Sequence, residues 1–128
     1  MVPEQLKYTD QHEWVKIEDN TATVGITDHA QNSLGDITFV ELPSPGTELA
    51  AGDEACAIES CKAAASIYAP AAGKIAEANQ TLDDAPALVN KDCYGQGWIY
   101  KMEISDACEL DKLMTAQQYQ KFLDEQEQ

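Results

Sequence analysis

Residues 55–70 read Ala55-Cys56-Ala57-Ile58-Glu59-Ser60-Cys61-Lys62-Ala63-Ala64-Ala65-Ser66-Ile67-Tyr68-Ala69-Pro70. Gly52-Asp53 makes a turn, residues 55–58 form a short strand, residues 66–69 form the next, and Pro70-Ala71-Ala72-Gly73 closes the pair. No glycine or proline separates the two strands, so Lys62 falls at or near a hairpin tip among small neighbours, Ser60, Cys61, Ala63, Ala64 and Ala65. A lysine displayed in this way is open to a modifying enzyme, and a long group built on it can reach several partners. Seven other lysines are ordinary surface charges as far as spacing can tell.

The flanking sequence is built of the same units. Upstream, residues 14–17 and 21–26 flank Asp19-Asn20, a turn-favouring pair that predicts a β-hairpin. Thr27 or Asp28 then caps a short helical stretch: Asp28 and Gln31 have capping-box spacing, Ala30 and Leu34 lie one turn apart, and Gly35 is the stop. Residues 36–42 are rich in β-branched and aromatic side chains and end at Pro43-Ser44-Pro45-Gly46. Downstream, residues 74–78 alternate, and a last strand at 98–104 follows the flexible-looking Tyr94-Gly95-Gln96-Gly97. Many short strands between Gly and Pro turns predict a mainly β fold, a sandwich or flattened β-barrel.

The period changes after residue 105. Asp106 and Glu109 have capping-box spacing before Leu110, Leu113 and Met114, and Thr115 with Gln118 repeats the device before Tyr119, Phe122 and Leu123. Two short amphipathic helices over about residues 107–125 are expected to lie across the β body as core contacts, with the acidic tail beyond Leu123 frayed. With 128 residues and no linker or repeat, one domain over residues 1–128 is expected.

The formal net charge is −15, from 23 acidic against 8 basic residues, and every basic residue is a lysine. Such a surface repels phosphate backbones, which excludes nucleic acid as a partner, and the absence of arginine removes the bidentate grip on anionic metabolites. The acidity serves solubility or steering toward basic patches on partner proteins. Cys56, Cys61, Cys93 and Cys108 have no C-x-x-C spacing, and His12 and His29 complete no zinc pattern with them, so free thiols in a reducing compartment are expected. Residues 1–6 lack the character of a signal or transit segment, and no apolar run has the length of a membrane span; a cytoplasmic monomer is the expectation.

Glu59-Ser60-Cys61-Lys62-Ala63-Ala64 resembles the lipoylation motif E-S-V-K-A-A of glycine cleavage H proteins, with Cys61 in place of Val. Tyr8-Thr9 with His12-Glu13-Trp14-Val15 resembles that family's Y-T-x-x-H-E-W-V, and residues 24–31 its V-G-I-T-D-x-A-Q. Residues 34–37, 39–43, 67–70, Gly73, 88–90 and 94–98 also fall where the family has them, so the resemblance spans nearly the whole chain. Biotin carriers share the general fold but hold their lysine between two methionines, a pattern absent here.

The resemblance implies a flattened barrel-sandwich hybrid of the lipoyl-domain type with lipoate in amide linkage to Lys62, Glu59 belonging to the motif the lipoylating enzyme reads. It implies four kinds of partner: a pyridoxal-phosphate-dependent glycine decarboxylase that loads an aminomethyl group, a tetrahydrofolate-dependent aminomethyltransferase that removes it, a dihydrolipoyl dehydrogenase, and a lipoate ligase or octanoyltransferase. The carrier itself is not an enzyme. No P-loop, dinucleotide fingerprint or G-x-S-x-G elbow offers independent chemistry. In the family the loaded arm docks in a surface cleft, where the glutamate of the H-E-W motif, here Glu13, faces the amine. Burial of methylenes at about 0.8 kcal/mol each is offset by about 0.5–1.5 kcal/mol per immobilised flexible side chain, so the cationic amine tips the balance. After the lysine the family reads A-A-S-D-I-Y, whereas this chain has Ala63-Ala64-Ala65-Ser66-Ile67-Tyr68, so Ser66 stands where an aspartate near the arm is usual. His12 is expected to pack or cap. An H-protein-like lipoyl carrier or relay for another pathway, and an unmodified structural or regulatory paralogue, are the alternatives.

Overall fold

A computed structural model describes residues 3–105 and 107–126. Along the chain lie β1 (Lys7–Tyr8), β2 (Glu13–Glu18), β3 (Thr21–Ile26), α1 (Asp28–Leu34), β4 (Ile37–Glu41), β5 (Glu48–Leu49) and β6 (Glu54–Ser60). They are followed by β7 (Ala64–Tyr68), β8 (Gly73–Ala78), α2 (Thr81–Asp84), α3 (Leu88–Lys91), β9 (Tyr100–Ile104), a 3-10 helix (Ala107–Lys112) and α4 (Ala116–Gln126).

The strands form two antiparallel sheets, one in the order β1-β2-β3-β9-β8-β5 and the other β4-β6-β7. Of the two architectures the sequence allows, the molecule is a sandwich of open sheets and not a closed barrel. Val24, Val40, Ile58, Ile67, Ile75 and Met102 are among the buried side chains of the shared core. Each such aliphatic residue contributes about 1.5–3 kcal/mol by leaving water. A second cluster joins Leu6, Tyr8 and Trp14 to Ala116, Tyr119 and Leu123 of α4, which pins the C-terminal helix over the β1–β2 edge.

The opening hairpin forms as expected, with Glu18 opposite Thr21 and Asp19 at a positive φ of 55°. Trp14 fixes the far end of that pair: its indole N–H donates to the Cys93 carbonyl at 2.7 Å, and its ring lies over Gly25, where a Cβ would come within 2.6 Å of the ring. Thr27 is the cap of α1, its hydroxyl accepting from the Ala30 N–H at 3.3 Å. Asp28 sits inside the helix instead and accepts from the Gln31 side chain at 2.7 Å.

Several boundaries move. β9 begins at Tyr100, so Trp98 and Ile99 precede it. The 94–97 segment is a turn held by Asp92, which accepts from the backbone N–H of Gly95 and Gly97 and, through its carboxylate, of Gln96. Of the two C-terminal helices, the first is 3-10, and the expected Asp106–Glu109 cap lies outside the described residues. The second has its capping box complete: Thr115 N–H donates to Gln118 Oε1 at 2.9 Å and Gln118 N–H to Thr115 Oγ1 at 3.2 Å. α4 continues past Leu123 to Gln126, beyond the expected fraying point.

Candidate functional site

The site begins at the β6–β7 hairpin. Three residues, Cys61, Lys62 and Ala63, connect the strands, so Lys62 occupies the tip itself and is exposed. Ser60 makes this tip rigid. Its N–H donates to the Ala63 carbonyl at 2.8 Å, and its hydroxyl oxygen accepts from Lys62 N–H at 3.2 Å and Ala63 N–H at 3.1 Å. Short side-chain-to-backbone bonds of this kind replace the missing ladder in a tight turn. Cys61 N–H donates to the Asp36 carbonyl at 3.1 Å, which ties the tip to the segment before β4.

Gly35 lies under the lysine. Its φ is +79°, and a Cβ there would sit 3.3 Å from Lys62 Cε and 3.7 Å from Cys61 Sγ. Glycine therefore serves both the backbone conformation and the passage of the lysine stem. Asn90 fixes this floor from α3. It accepts from Ile37 N–H at 2.8 Å and donates to the Gly35 carbonyl at 2.9 Å and Gln31 Oε1 at 3.0 Å. Nothing in the local pattern around Asn90 announces that role, because these side-chain partners come from α1, the Gly35 that follows it and the start of β4.

β7 leads away from the tip. Ile67 is buried, and Ala64, Ser66 and Tyr68 alternate with it on the outer face, where Phe39, Glu41, Ala57 and Glu59 of the neighbouring strands also stand. Glu59 is exposed between Phe39 and Ala64. Ser66 donates its hydroxyl proton to Glu54 Oε1, so a carboxylate from β6 stands beside the position where the sequence lacks one. Cys56 is buried on the inner face of this strand pair while Cys61 is exposed. Burial, reinforced by Glu13, Glu41 and Glu54, pushes the Cys56 thiol far up.

At the far end of β7 a cleft of about 390 Å³ opens between Tyr68, Gly52, Asp10, Gln11 and the Lys112–Met114 segment. Glu13 forms part of its wall and is only 2% exposed. Its carboxyl accepts from the Tyr68 backbone N–H at 2.5 Å and from the Thr9 hydroxyl at 2.9 Å. Burial raises its pKa from 4.5 to about 7, against the two hydrogen bonds, which act the other way. His12, at φ 67°, faces away toward α4: Nδ1 lies 2.7 Å from the Tyr119 hydroxyl, and the ring packs on His29 with centroids 4.5 Å apart. Burial and the neighbouring His29 lower its pKa. It is a packing residue, and the Tyr119 hydroxyl continues to Thr27 Oγ1 at 2.8 Å.

A small sandwich with a rigid two-stranded tip that displays one lysine is a carrier domain of the lipoyl type. The sequence matches the glycine cleavage H-protein family over residues 6–126, and the chain belongs to that family. The glycine cleavage system H protein of Carboxydothermus hydrogenoformans is 50% identical over 126 residues, 98% of this chain and 97% of that protein. That of Thermotoga maritima is 57% identical over 116 residues, 91% and 94% of the two chains. The crystal structure of a glycine cleavage system H protein from Mycobacterium marinum superposes with a TM-score of 0.85 at 37% identity, covering 92% of this chain and 95% of that one. No helix among the described residues is long and apolar enough to cross a membrane.

Proposed function

We propose that this chain acts as a single lipoyl-carrier domain, a cytoplasmic monomer that bears lipoate in amide linkage to Lys62 Nζ. In this reading it carries the aminomethyl group of glycine from glycine decarboxylase to aminomethyltransferase, and dihydrolipoyl dehydrogenase reoxidises the reduced arm. The observation that carries the reading is Lys62 on a three-residue tip that Ser60, Asp36 and Gly35 hold rigid, in a chain of the H-protein family. Relatives named as H proteins of the glycine cleavage system supply the pathway.

When attached, lipoate supplies a dithiolane that accepts the aminomethyl unit and is reduced as it does so. The chain's own residues attach, orient and shelter. Ser60 and Gly35 hold the lysine where an enzyme can acylate it, and Glu59 stands on the same exposed face as part of the surface that enzyme meets. The cleft beyond Tyr68 has apolar walls from Tyr8, Leu113 and Met114 for the methylenes, with Glu13 at its back. A carboxyl with a pKa near 7 is close to half ionised at neutral pH, so an ammonium entering the cleft shifts it to carboxylate and gains a charge-assisted contact.

The test has two stages. Incubation with lipoate, ATP and a lipoate ligase is expected to add one lipoyl group by intact mass, mapped to Lys62 by peptide fragmentation and lost in Lys62→Arg. The lipoylated protein is then expected to support glycine-dependent CO2 release by a glycine decarboxylase. Modification that persists in Lys62→Arg refutes the site, and a lipoylated protein that no glycine decarboxylase uses refutes the pathway.

A further inference from the structure

We propose that Glu54 is a second carboxylate, besides Glu13, that faces a cationic amine carried at the end of the Lys62 arm, and that Ser66 is the residue that positions it. The inference rests on the carrier reading above and adds a contact that its motifs do not contain.

Three observations converge on Glu54. The first is orientation: Ser66 donates to Glu54 Oε1 across the strand pair, on the outer face of the sheet whose tip holds Lys62. A bulge between Glu54 and Cys56 places Glu54 opposite Tyr68, which itself lines the cleft. The second is charge. Glu54 is exposed and has no cationic partner among the described residues, where the single ion pair is Lys16–Glu18 at 3.2 Å. A neutral hydroxyl holds its carboxylate in place and leaves the charge uncompensated.

The third is reach. Ser66 is four steps along the chain from Lys62, at most about 13 Å of extended strand. A lysine stem with an eight-carbon lipoyl chain is about 14 Å long when extended. Its end therefore arrives level with the Ser66–Glu54 pair. The Glu13 carboxyl, bonded to Tyr68 N–H, lies about two residues, or roughly 7 Å, further along the strand, in the wall of the cleft. Ala57 and Ala64 flank Ser66 on that face and put no bulk in the way.

The chemistry gives such a contact a purpose. Hydrolysis of an aminomethyl thioether consumes one water and yields thiol, formaldehyde and ammonium. The C–S bond breaks as the nitrogen lone pair pushes out the sulfur, which keeps the electron pair and takes up a proton. An amine held as ammonium against a carboxylate has no free lone pair, so the C–S bond survives. Glu54 thus guards the cargo in transit.

The experiment uses full-length protein lipoylated at Lys62, reduced, and loaded with formaldehyde and ammonium by the reverse of that hydrolysis, so no partner enzyme enters. The rate of formaldehyde release is followed after dilution, and the backbone amide chemical shifts of Glu54, Ser66 and Tyr68 are compared before and after loading. In Glu54→Gln, release is expected to rise about two- to fivefold, the range of a partly exposed ion pair, and the wild-type advantage is expected to shrink with salt. Ser66→Ala should give a smaller increase. Combining Glu54→Gln with Ser66→Asp, which returns one carboxylate to the same spot, should restore slow release, an outcome that loss of stability cannot mimic. Loading should shift the amides in wild type and much less in Glu54→Gln. Equal release by wild type and Glu54→Gln, while both outlast the urea-unfolded protein, overturns the role of Glu54 and leaves the carrier reading intact. Wild-type release as fast as from unfolded protein overturns the proposal together with any sheltering of the arm.

Discussion

Replacing Glu13 with Gln should change how stability depends on pH, in a direction set by the burial of that carboxyl. The group is 2% exposed, and its pKa rises from 4.5 to about 7 on folding. Between those two values the folded chain holds a proton on Glu13 that the unfolded chain has released. Stability must then fall as pH rises through this window and level off above it. At 1.36 kcal/mol for each pH unit, a shift of this size amounts to roughly 3 kcal/mol of lost stability by pH 8. Glutamine cannot ionise, so Glu13→Gln should not show the loss. The amide can accept from Tyr68 N–H, but Thr9 Oγ1 already accepts from the N–H of Gln11 and Glu13 at 3.2 Å each, so a constant offset is expected as well. The slope, not the offset, is the test. Urea unfolding of both proteins from pH 4.5 to 8.5 should show the variant gaining on wild type by about 2–3 kcal/mol, with the change concentrated between pH 5 and 7. The other carboxylates cancel in that difference. A difference that stays flat within about 0.5 kcal/mol, or that runs in favour of wild type at high pH, would refute the claim that an ionised Glu13 is disfavoured by burial.

Other substitutions probe the tip and the helical brace. Gly35→Ala should destabilise by roughly 1–3 kcal/mol because of its positive φ, and should slow lipoylation by displacing the Lys62 stem, measured by urea unfolding and by initial rates with a lipoate ligase. Tyr119→Phe removes a hydroxyl shared by His12 and Thr27 and should cost about 1 kcal/mol while leaving the α4 packing intact, which urea titration and near-UV circular dichroism can separate. In native protein Cys61 should be alkylated rapidly while Cys56 and Cys93 react only on unfolding, as followed by peptide mapping; protection of Cys61 would contradict an exposed tip.

What the sequence made legible was whatever depends on neighbours in the chain. The hairpin around Asp19-Asn20, the Thr27 helix start, the Gly35 stop and the Thr115–Gln118 capping box are all local devices, and each forms where its residues stand. The place of Lys62 at a tip was legible for the same reason, since a turn between two strands of one hairpin is a local feature, while its choice over seven other lysines rested on the resemblance of residues 59–64. β5, with two residues, and α2 and α3, with four each, were not, because segments this short show no period. The 94–97 turn looked mobile from its glycines, yet Asp92 gathers its N–H groups. Glu13 breaks the alternation of β2: Glu13, Trp14 and Val15 are buried in succession, because β2 is covered on both faces at that end. That burial is tertiary, and with it comes the raised pKa, which no reading of the H-E-W triplet could supply.

On the proposal that Glu54 faces the arm, Ser66 preserves a site through a departure from its motif. Read along the chain, the position lacks an acid, and Ser66→Asp would be the natural repair. Read across the sheet, the acid is present on the adjacent strand, eight residues before Lys62, and the serine is its hydrogen-bond donor. In that setting Ser66→Asp alone would place two carboxylates against each other, where like charges disfavour ionisation of one of them. The single substitution should therefore not lengthen the lifetime of a loaded arm, whereas the same substitution made together with Glu54→Gln should. Side chains on one face of paired strands form one surface whichever strand they come from, so a carboxylate can change strands and still face the same cargo.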